Sequence, residues 1–84
     1  MTPEEGIRTA THYLEQNQPG RALLLADYIF STLPEEVRVW HERPSDIVER
    51  LCSGLPKQTK AWYRTQRIAI LDVLTAFQKE LAAK

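Results

Sequence analysis

The sequence predicts an all-α fold: a compact bundle of four to five helices, the longest of them C-terminal. Three observations carry this expectation. Apolar residues recur every three or four positions, and no run alternates with period two. Proline stands only near the places where helices would start or stop. Glycine is scarce, at three residues in 84, and each lies at a helix end or in a first turn.

The elements follow in order. Thr2-Pro3-Glu4-Glu5 has the pattern of a capping box, with proline at the first helical position and glutamate at the third. Ile7, Ala10, Tyr13 and Leu14 continue at helical spacing to about Asn17, which tolerates the left-handed backbone that ends helices; Pro19-Gly20 then completes the break. A second helix runs from about Arg21 to Leu33. It is apolar nearly all round, with only Asp27, Ser31 and Thr32 as a wet strip, so it sits centrally or meets a partner. Pro34-Glu35-Glu36 opens a short third helix through Trp40, its carboxylates near the positive end of the helix dipole. Ser45 or Asp46 caps a fourth helix that ends at Ser53-Gly54 and buries Ile47, Val48 and Leu51, with Cys52 beside them. Pro56 opens the longest helix, to about Ala82, spanning about 40 Å at 1.5 Å per residue. Tyr63, Ile70, Val73, Leu74, Phe77 and Leu81 form its buried stripe.

Size and composition narrow the class. A chain of 9.7 kDa buries about 64% of its unfolded surface, enough for one domain over residues 1–84 and one core. Leu, Ile, Val and Phe total 21 residues, which excludes wholesale disorder. A single cysteine, Cys52, forms no internal disulfide, and the acidic start of the chain does not read as a targeting peptide. The longest apolar run, Ala22 to Ala26, falls far short of the roughly 20 residues that span a bilayer. A cytoplasmic protein is the expectation.

Residues 6–34 resemble one tetratricopeptide-type helical hairpin. Tyr13 late in the first helix, Asn17 at the turn, Ala22 early in the second helix and Pro34 just after it fall at that family's offsets. Gly6 and Ala26 depart from it, each smaller than the family's usual residue at its place. The resemblance implies a protein- or peptide-binding groove and no catalysis.

Charge is segregated beneath the neutral total. Residues 1–36 hold two arginines against six carboxylates, net −4, and residues 37–84 hold nine basic against five acidic side chains, net +4. Lys57, Lys60, Arg64 and Arg67 are spaced three, four and three apart, which on a helix makes one basic stripe within an arc of about 80°. Trp62 and Tyr63 are interleaved with it. Such a stripe suits an acidic protein surface or phosphates. A helix-turn-helix register with Gly54 at the turn fails, because it buries Arg50 and Lys60.

Little here points to chemistry. His12 and His41 stand alone without a Cys or His at ligand spacing. Cys52 beside Leu51 reads as a small buried hydrophobe, and the acidic pairs Glu4-Glu5 and Glu35-Glu36 fall at helix starts, where the dipole accounts for them. Apolar side chains, in contrast, exceed what the core stripes need. Ile68 and Leu71 lie about 160° and 100° round the last helix from Ile70. Leu24 lies on the wet strip of helix two, and Trp40 in a short charged segment. The sequence therefore reads as a small non-enzymatic protein–protein interaction module: an adaptor, chaperone or inhibitor of a larger cytosolic protein. Leu24, Trp40, Trp62, Arg64, Ile68 and Leu71 are the expected partner contacts, and the partner is another protein or a second copy of the chain. The alternative is a nucleic-acid-binding regulatory protein that sets Lys57, Lys60, Arg64 and Arg67 on phosphates. Neither reading needs a cofactor, a metal or a membrane.

Overall fold

In the computed structural model, which describes residues 1–83, Thr2 is extended and its hydroxyl accepts the Glu5 amide at 3.2 Å. That bond satisfies one of the amides left over at the start of α1 (Pro3–Glu15). Asn17 closes the helix in the left-handed region at φ 60, as its short amide side chain allows. Pro19 then does not prolong the break. It occupies the first position of α2 (Pro19–Thr32), where its missing N–H costs nothing, and Gly20 lies in the first turn. The remaining elements are α3 (Glu35–Arg38), α4 (Pro44–Cys52) and α5 (Lys60–Ala82). No strand occurs among the described residues, so the all-α expectation holds, with the longest helix C-terminal.

The core lies where α2 meets α1, α4 and α5. Ile29, Ile70, Leu74 and Phe77 are its largest fully buried apolar side chains, and Phe30 packs a tilted ring 6.3 Å from Phe77. Against α1 the packing uses small residues. Ala10, Ala22 and Ala26 are completely buried, and a Cβ added at Gly6 would come within 3.0 Å of Ile29 Cγ1. The two places where the chain carries a smaller residue than a tetratricopeptide-type hairpin, Gly6 and Ala26, are thus both buried.

The N-terminus of α4 is capped from another helix. Pro44 has no N–H to offer, so the Ser45 amide is the first free donor; it donates to Asp27 Oδ1 of α2 at 3.0 Å, and the Ser45 hydroxyl donates to Asp27 Oδ2. Neither Ser45 nor Asp46 is the cap residue, since Arg43 holds that position and Pro44 starts the helix. The wet strip read on α2 thus contains a tertiary contact. At the far end of the same connection, His41 Nε2 lies 3.2 Å from Glu80 Oε1, with its ring edge-on to Phe77 at 5.8 Å.

The last helix starts later than expected. Pro56 does not open it; Gln58 adopts φ 66, and Thr59 becomes the cap, its hydroxyl accepting from the Trp62 amide at 3.2 Å. Lys57 therefore stands in the turn before α5, off the helical stripe. Tyr63 is also displaced from its expected place: 41% exposed, it lies before the first buried residue of α5, which is Ala69. Likewise α3 ends at Arg38 and leaves Val39 and Trp40 in a turn.

Two outcomes follow for stability. Replacing Asp27 with Ala should cost about 1–2 kcal/mol in chemical denaturation, and Asp27→Asn, which keeps an acceptor, should cost less. Gly6→Ala should lie within about 1 kcal/mol of the parent, because its gain in helix propensity is offset at Ile29, whereas Gly6→Leu should destabilise by about 1–3 kcal/mol. Thermal melting of both variants checks the contrast.

Candidate interaction surface

A 23-residue helix is about 35 Å long, well beyond the 14 residues of α2 or the nine of α4 that pack on it. The buried residues of α5 are Ala69, Ile70, Val73, Leu74 and Phe77, and none lies in its first nine positions. Exposed surface reflects this: 5708 Å², against roughly 5,100 Å² for an average monomer of this mass.

The exposed side of this segment is one continuous face. Lys60, Arg64, Arg67, Ile68 and Leu71 are all exposed and fall within an arc of about 100°. Ile68 is 54% and Leu71 46% exposed, so the basic row runs directly into an aliphatic pair. No acidic residue pairs with Lys57, Lys60, Arg64 or Arg67 among the described residues. Trp62 is turned the other way. It packs partly buried against the core and meets Tyr63 edge-to-face at 4.9 Å, so it supports the base of this face.

The other expected contacts are elsewhere. Leu24 is 72% exposed on α2, about 160° round the helix from buried Ala26, with exposed Tyr28 one turn further on. Trp40, at 84%, is the most exposed large apolar residue, and Val39 beside it is 69% exposed. Sequence reasoning missed Val39, although its place in the same short charged segment as Trp40 carries the same signal. It also missed Leu51, expected to be buried but 47% exposed, which edges a groove of about 210 Å³ between α4 and α5. A larger groove of about 610 Å³ lies between α1 and the end of α5, floored by Ile7 and Leu81 and rimmed by Glu4, Arg8, His12 and Glu15.

Titratable groups add little. Burial pushes the Cys52 thiol above its ordinary range, which keeps it protonated and unreactive near neutral pH. The Arg43 guanidinium is held up by its hydrogen bond to Asp46 at 2.9 Å. Among the described residues no group of three or more His, Cys, Asp or Glu is placed to hold a metal ion. No helix of the described residues is long and apolar enough to cross a membrane. No family model, curated protein or solved structure matches the chain.

Proposed function

We propose that the protein is a non-enzymatic protein–protein interaction module of the cytoplasm, an adaptor, chaperone or inhibitor that presents the first half of α5 to its partner. The observation that carries this reading is the coincidence of three cations without an ion-pair partner among the described residues, Lys60, Arg64 and Arg67, with exposed Ile68 and Leu71 on one helix face. Apolar side chains with charged neighbours supply both area and orientation, the combination found at interface centres and rims. The family that residues 6–34 resemble binds peptides, which belongs to the same class of activity.

The alternative, phosphate contact, draws on the same cations. It is less well supported, because Lys57 leaves the helix and the row continues into aliphatic carbon, where a phosphate gains nothing. Paired baits separate the two. Affinity capture from the native host with the parent and with an Ile68→Asp/Leu71→Asp variant should give a defined protein set that the variant loses at least about tenfold, the scale of losing a contact worth 1.4 kcal/mol. Equal capture by both baits contradicts the reading. So does binding to duplex DNA that Lys60→Glu/Arg64→Glu abolishes.

A further inference from the structure

Two surfaces of the chain combine charges that make no ion pair among the described residues with exposed apolar side chains. One is the basic-aliphatic face of α5, with Lys60, Arg64, Arg67, Ile68 and Leu71. The other is the α3 turn, where Glu35 and Glu36 are exposed without an ion-pair partner among the described residues, next to Val39 at 69% and Trp40 at 84% exposure. One surface is cationic and aliphatic; the other is aromatic with two exposed carboxylates, and its one cation, Arg38, is half-buried.

Among the described residues no ion pair joins these two surfaces within one chain. His41, the residue after Trp40, is hydrogen-bonded to Glu80 at 3.2 Å, which fixes the turn near the C-terminal end of α5. Arg67 is 13 residues from Glu80 along the same helix and Lys60 is 20, or about 20 and 30 Å. Leu71 is nine residues from Glu80, or about 14 Å, so the cations of the face are its part more distant from the turn.

We propose that a second copy of the chain occupies the α5 face, docking head to tail through its Glu35, Glu36, Val39 and Trp40 turn. This rests on the interaction reading above and names the partner. Charge complementarity selects the occupant: the turn brings two carboxylates and an indole to a face that offers three cations and two aliphatic side chains. The contact uses different patches on the two copies, and in the head-to-tail arrangement it is heterologous and repeats along a row of molecules. The area is small. An indole buries about 150–250 Å², and with Val39, Ile68 and Leu71 the interface falls in the class below about 1,200 Å², which associates weakly.

Sedimentation and light scattering test this on the full chain. The parent's average mass should rise above 9.7 kDa with concentration at about 0.01 M salt and return toward it at about 1 M, where the screening length drops from about 30 to 3 Å. Val39→Ser/Trp40→Ala and Arg64→Glu/Ile68→Ser should each be monomeric alone, because each removes one of the two surfaces. Mixed, they retain one intact turn and one intact face between them, and should form a 1:1 dimer that grows no further. Melting curves followed by circular dichroism confirm that both variants are folded. Self-association of the parent without rescue on mixing overturns the head-to-tail arrangement, and so does a parent that stays monomeric throughout. A monomeric parent whose α5 variant still loses its captured protein overturns this proposal alone and leaves the interaction reading intact.

Discussion

The length of α5 relative to what packs on it governs the remainder of the structure. Its last fourteen residues supply Ala69, Ile70, Val73, Leu74 and Phe77 to the core, and α1, α2 and α4 gather around them. Its first nine supply no fully buried side chain. A chain this small cannot wrap a helix of this length, because the shorter elements run out before the helix does. Most of what the N-terminal part of α5 carries, Trp62 apart, is therefore presented to solvent by the same packing that holds the C-terminal part in place. Stability and display share one helix and divide it near Ala69.

The core achieves this with few materials. Among the described residues no charged or polar side chain is fully buried, and Ala10, Ala22 and Ala26 let α1 and α2 close on each other with little side-chain entropy lost. The polar contacts that matter lie at the boundary of the core. Asp27 satisfies the first amide and the hydroxyl of Ser45, tying α4 to α2, and His41 reaches Glu80 across the end of the bundle. Together these two bonds fix the connection over residues 41–45, and Trp40 stands just before it with its indole exposed.

Much of the fold was legible in the sequence because its signals are local. Thr2 with Pro3, Asn17 and Pro34 each act through their own backbone or the next few residues, and each does in the structure what its chemistry suggests. The misreadings arise where two local meanings compete or where a contact is long-range. Pro19 suits a break or a first helical position, and the structure takes the second. Pro56 offers the same choice, but Thr59, a better cap, wins it and leaves Lys57 outside the helix. Asp27 reads as surface because its partner is 18 residues away. Tyr63 satisfies the periodicity of the buried stripe, yet periodicity records only the side of a helix and not how far along it the neighbours extend. The exposed Ile68 and Leu71 were visible as residues off that stripe; that the turn carrying Trp40 is held to the C-terminal half of α5 was not, since it depends on His41 meeting Glu80.

The division of α5 is most directly tested by comparing two pairs of substitutions in dilute solution, measured by denaturant unfolding. Ile68→Ser/Leu71→Ser removes apolar side chains from the exposed face, and should leave stability within about 1 kcal/mol of the parent. Ile70→Ala or Leu74→Ala, on the buried side of the same turns, should cost about 2–5 kcal/mol. Equal losses from the two faces would mean that Ile68 and Leu71 belong to the core, and the account of α5 as part anchor and part display would be wrong.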